Sequence, residues 1–115
     1  MISFQGIGRE VVTVNFAGAL HRGDLCYFLQ DKCVAAATST SGFAGKVIDV
    51  FEDGTASVQI RGYVEAGYST AAAISGVGYK KLACRNATNV QQDDDGREYL
   101  VVSNNVNKRV IGIML

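Results

Sequence analysis

Proline and tryptophan are both missing from the 115 residues, and histidine occurs once. With one imidazole, His21, a Cys–His nucleophile pair would need that ring to meet Cys26, Cys33 or Cys84, with a third group to orient it. The sequence supplies no such set, and His21 reads as a solvated turn residue beside Arg22 and Gly23. Three cysteines are an odd number with no C-x-x-C spacing, so they match neither a zinc site nor a disulfide framework. They read as small apolar core residues of a reduced protein.

Charge is scarce too, at 19% of residues, against about 25% in soluble domains generally. It is also balanced, eleven basic residues against eleven acidic, which removes the field that drives non-specific nucleic-acid binding. No stretch approaches the ~18 apolar residues that a membrane helix needs. The start, "MISFQGIGREVV", lacks the basic opening and apolar core of a signal peptide. These shortages predict a protein made in a cytoplasm, with no enzyme chemistry, cofactor, metal, nucleic acid or membrane.

What is present is β-forming. The hydrophobic fraction of 48% suits a single core. "EVVTVNF" (10–16) places Val12, Val14 and Phe16 on one face, and "LCYFL" (25–29) is the short apolar run expected of a strand buried on both sides. From Thr55 to Arg61 the pattern alternates, with Ala56, Val58 and Ile60 one way and Thr55, Ser57, Gln59 and Arg61 the other. A three-residue loop, Glu52-Asp53-Gly54, with Gly54 in the left-handed position, brings Ile48 and Val50 to that apolar face and Asp49 to Ser57. Val47 and Phe51 then lie on the opposite side.

After a glycine- and alanine-rich middle (62–81), in which Ala71–Ala73 has room for one helical turn, come strands "YKKLAC" (79–84), "EYLVVSN" (98–104) and "RVIGIML" (109–115). The polar stretch "RNATNVQQDDDG" separates the first two. Seven or eight short strands with little or no helix predict an all-β fold, a small sandwich or barrel. Without proline to guard them, its edge strands are expected to be paired, short or covered by neighbouring subunits.

Several motifs carry less than they offer. Asp93, Asp94 and Asp95 are consecutive, whereas a calcium loop needs alternate ligands. "SGFAGK" (41–46) has Thr40 where a phosphate loop needs its first glycine and Val47 where it needs Ser or Thr. "GVGYK" (76–80) has no helix to follow it. Arg22-Gly23-Asp24, an adhesion triplet in another setting, reads as the turn that launches strand 25–29. What remains is surface. Val47, Phe51, Tyr63, Tyr68 and Tyr79 are candidate subunit contacts, tyrosine among small residues being common at protein interfaces; equally, they close a second layer of core.

The order of these pieces resembles the small all-β decoration (cement, head-stabilising) proteins of tailed bacteriophages. "VVTVNFAG", "HRGDLCYFL", "AGKVIDVFEDGTASVQIRGYVE" and the ending "GYKKLAC…GREYLVVSNNVNKRVIGIML" carry the resemblance over most of the chain. It implies a β-sandwich or tulip-like barrel at residues 11–115, bound as a homotrimer to the outside of the virion head at three-fold positions. The partner would be the major capsid protein. An N-terminal arm, residues 1–10, would contact the shell, with Ile2, Phe4 and Arg9 as candidates. Two other expectations stand beside it. One is a different phage structural subunit, of the tail tube or of head completion; the other is a monomeric carbohydrate- or peptide-binding module, which five scattered tyrosines without tryptophan support poorly.

Overall fold

The alternation of Val12, Val14 and Phe16 becomes strand β1 (Glu10–Phe16), its apolar side chains turned inward, in a computed structural model that describes residues 8–115. Four further strands close a barrel with it: β2 (Leu25–Gln30), β3 (Cys33–Ala36), β4 (Gly45–Val50) and β5 (Thr55–Arg61), in the order β1-β3-β2-β4-β5. β5 returns to β1, and only the short β1–β3 contact is parallel. Leu20, Cys26, Val34, Val47, Ala56 and Val58 fill the interior, as side chains must in so narrow a barrel.

At Gly62, where φ is 93°, the chain leaves the barrel for a second layer. β6 (Tyr63–Gly67), β7 (Gly78–Cys84), β8 (Val90–Gln92), β9 (Arg97–Asn105) and β10 (Val110–Met114) form an antiparallel sheet in the order β6-β10-β9-β7-β8. One 3-10 turn, Thr70–Ala72, lies where the alanine run had room for it. The inner face of the sheet buries Val64, Leu82, Val90, Val101, Ile111 and Ile113 against Leu25, Ala37 and Phe43 from the barrel side. Each such aliphatic side chain contributes roughly 1.5–3 kcal/mol of burial.

The joint between the layers is polar as well as apolar. Phe43 stacks on Tyr99 with ring centroids 4.5 Å apart, and the Tyr99 hydroxyl donates to the Phe43 carbonyl at 2.8 Å. β6 is an edge strand, and side chains from the barrel meet its carbonyls: Lys46 Nζ donates to Glu65 O at 2.6 Å and Gln59 Nε2 to Tyr63 O at 3.0 Å. Capping an edge in this way removes a template for unwanted strand pairing.

The fold is all-β as expected, with ten strands among the described residues. β3, β6 and β8 are not legible in the sequence: β3 and β8 are short, β8 lies within the polar stretch 85–96, and β6 lies in the glycine- and alanine-rich middle. The run at 25–29 is not buried on both faces. Leu25 and Cys26 are buried, but Phe28 and Leu29 are exposed, because β4 begins opposite Cys26 and offers β2 no neighbour beyond it.

The β4–β5 hairpin has the expected loop. Phe51 N donates to Thr55 O at 2.8 Å, Gly54 N to Phe51 O at 3.3 Å, and Gly54 has φ of 89°. Val50 pairs with Ala56 and Asp49 with Ser57, as the turn requires. A bulge at Ile48 then shifts the register by one, setting Val47 opposite Val58. Val47 is therefore a barrel-core residue, 2% exposed, and not a contact on the opposite face.

Candidate assembly surfaces

His21 is a solvent-facing turn residue whose Nδ1 lies 3.6 Å from Asp24 Oδ2. The three thiols are free and buried. Cys26 Sγ lies 3.5 Å from the Gly45 carbonyl, and burial, reinforced by the nearby Asp24 charge, pushes its pKa up to about 12. Burial does the same to Cys84, again to about 12. Such thiols stay protonated and are poor nucleophiles. Among the described residues, no group of three or more His, Cys, Asp or Glu is placed to hold a metal ion.

The glycine motifs and the acidic run are structural. Gly45 packs so closely on the Gln59 carbonyl that a Cβ would overlap it, Phe43 is core, and Lys46 caps β6. Burial holds the Lys46 ammonium below the ordinary lysine range, against the opposing pull of Glu65. Asp93 accepts from Asp95 N at 2.9 Å, closing the turn before β9.

The adhesion triplet is a turn in this protein. Gly23 has φ of 90°, and its N–H donates to Val47 O at 2.8 Å. Asp24, 7% exposed, accepts from His21 N at 2.9 Å. Arg22 reaches the other way, to Asp49 at 3.3 Å.

The five candidate subunit contacts separate by environment. Val47 is in the barrel core, as described above. Tyr68 is also buried: its ring joins the sheet core, and its hydroxyl donates to Asn104 Oδ1 at 2.8 Å. Asn104 Nδ2 in turn donates to Ile74 O at 2.9 Å and Gly76 O at 3.1 Å, pinning the 68–76 segment to β9. The sequence places Tyr68 beside glycine and serine, which hid this role.

Tyr63 and Tyr79 come together on one surface. Strand register aligns Tyr63 with Met114, Met114 with Leu100, and Leu100 with Tyr79. Facing residues share a face, and their strand neighbours Val64, Ile113 and Val101 point into the core. The four therefore make an apolar row across the outer face of the sheet, ending at Tyr79, which is 70% exposed. Tyr63 lies over Gly112, where a Cβ would overlap its hydroxyl and Ser103 Oγ. Its hydroxyl donates to Glu65 Oε2 at 2.9 Å, and burial pushes its pKa up.

Phe51 belongs to a second surface that the sequence did not reveal. The β2–β3 turn (31–32) and the β4–β5 turn (52–54) leave the same end of the barrel, because Asn15 pairs with both Cys33 and Thr55. That tip exposes Phe28 (46%), Leu29 (50%) and Phe51 (42%). It lies at the far end of β5 from Gly62, where the chain enters the sheet. Of the candidate shell contacts, Arg9 is exposed just before β1, while Ile2 and Phe4 lie outside the described residues. Comparison with known protein families, curated proteins and solved structures finds no match to this chain.

Proposed function

We propose that this chain is a non-enzymatic structural subunit that decorates the outside of a tailed-phage head. In this reading it sits as a homotrimer at three-fold positions on the major capsid protein and strengthens the shell. The observation that carries the reading is the gathering of apolar side chains at two separate surfaces, the exposed Phe28, Leu29 and Phe51 at the barrel tip and the sheet row of half-buried Tyr63, Met114 and Leu100 that ends at exposed Tyr79. Isolated exposed apolar residues are ordinary on a monomer, whereas gathered ones mark surfaces that partners cover. The resemblance of the sequence to decoration proteins supplies the identity of the partner.

Mechanically, nothing more than contact is required. Each copy adds buried area across a seam between shell subunits, and repetition around a three-fold axis multiplies modest contacts into avidity. The mass of the purified protein by light scattering tests the assembly part of the proposal. Three times 12.2 kDa is the expected result. A larger ring or an open polymer replaces decoration with a tail-tube or head-completion role, and a monomer at all concentrations favours a binding module.

A further inference from the structure

A closed trimer repeats one heterologous contact, in which two different patches of each subunit meet. The barrel tip is one distinctive patch. Its apolar residues Phe28, Leu29 and Phe51 are bordered by Asp31, Glu52 and Asp53, and Lys32 is the single cation in its two turns. The opposite character appears at the β9–β10 turn (106–109), which carries Lys108 and Arg109, no acidic residue, and Val106 at 70% exposure. Beside that turn runs an open groove of about 640 Å³, lined by Val106 and Val110, by Glu65 and Lys108, and otherwise by Ser103 and three asparagines. Glu65 is its acidic member, and its carboxylate accepts the Tyr63 hydroxyl.

One chain of zero net charge thus carries a protruding apolar tip with an acidic border and a mainly polar concave surface, with Val106 and Val110 in its lining and the basic Lys108-Arg109 turn at its border. We infer that the barrel tip of one copy docks into the groove beside the β9–β10 turn of the next, head to tail. The inference rests on the assembly reading above and specifies its subunit contact. The tip then meets a second copy, and the Tyr79 end of the sheet row is left outside the ring contact. Charges at the border of an interface steer encounter and fix register, and salt screens them.

Light scattering at low salt on charge-reversed proteins tests the contact. Asp31→Lys with Glu52→Lys reverses the tip; Asp53 is kept because it holds Thr55 N at 3.0 Å and Thr55 Oγ1 at 2.6 Å. Lys108→Glu with Arg109→Glu reverses the turn, and a four-site variant carries both changes. Thermal unfolding establishes that each variant folds. The expected result is a wild-type multimer, self-association weakened by about tenfold or more in either two-site variant, and recovery in the four-site variant. A wild-type monomer at every concentration, reversals that leave the mass unchanged, or loss without recovery in the four-site variant would each overturn the contact. Sedimentation of the same proteins with phage heads separates the two readings. Head binding with a mass indifferent to the reversals overturns the head-to-tail contact alone, and a charge-sensitive multimer that ignores heads overturns decoration alone.

Discussion

Asp24 is held inside the turn that its own carboxylate closes, while Arg22 stays in solvent beside Asp49. The two ends of the triplet should therefore respond differently to truncation. Asp24→Ala leaves the His21 N–H without the acceptor that a buried carboxylate supplied in a partly buried turn, at an expected cost of about 1–3 kcal/mol. Arg22→Ala removes an exposed pair and should stay within about 0.5 kcal/mol of wild type. Urea unfolding of both variants checks this, and equal effects would contradict the turn assignment. The thiols give a second prediction at this scale. Cys26 and Cys84 are raised from 9.0 to about 12 in the folded protein. The unfolded chain loses these protons first, so stability holds below pH 9 and falls as pH rises towards 12. Cys26→Ala, compared at pH 8 and pH 10, should lose less of its own stability over that interval than wild type does. Native protein should also resist thiol-directed alkylation until it is unfolded. The identity of the cysteines as core residues was legible from their number and spacing; the depth that raises the pKa of Cys26 and Cys84 depends on the 40–44 segment bonding to the backbone of both, which no local pattern reports.

At the scale of the element, the β4–β5 hairpin shows where sequence pattern suffices and where it stops. The loop Glu52-Asp53-Gly54 and the pairs beside it follow from turn chemistry alone, since a left-handed residue at position 54 demands glycine. The bulge at Ile48 does not, because one inserted residue reverses the sense of every side chain before it while leaving composition unchanged. Val47 and Phe51 test the result directly. Val47→Ala opens a cavity in the barrel and should cost about 2–4 kcal/mol. Phe51→Ser removes an exposed ring and should cost less than about 1 kcal/mol while weakening self-association. Denaturant midpoints measure the first effect and light scattering the second; a loss at Val47 as small as that at Phe51 would restore the unbulged register, which puts both on the side away from the core. The same argument accounts for the strands that pattern missed. β3 and β8 span four and three residues, too short for alternation to be distinguished from a loop. β6 is longer, but it alternates around Ala66 and Gly67, and its edge is satisfied by Lys46 and Gln59, residues remote in sequence.

For the whole molecule, a filled five-stranded barrel and a five-stranded sheet share one joint, with Leu25 and Phe43 reaching from the barrel side into the sheet core. This layout leaves the barrel tip at one extremity and the outer sheet row at another, which suits a subunit that contacts more than one neighbour. The all-β class was legible because it depends only on periodicity and turns. The surfaces were only half legible, since Tyr63 and Tyr79 become neighbours of Met114 and Leu100 through register, and Phe28 becomes exposed through the shortness of the β2–β4 pairing. The central claim is that the protein binds and strengthens a head shell. Its most direct test is to add purified protein to empty phage heads lacking it, measure bound copies after sedimentation, and follow the temperature at which the heads rupture. Saturable binding in multiples of three, with rupture moved to higher temperature, is the predicted result. Heads that bind none of it, or bind it and rupture at an unchanged temperature, would contradict the account.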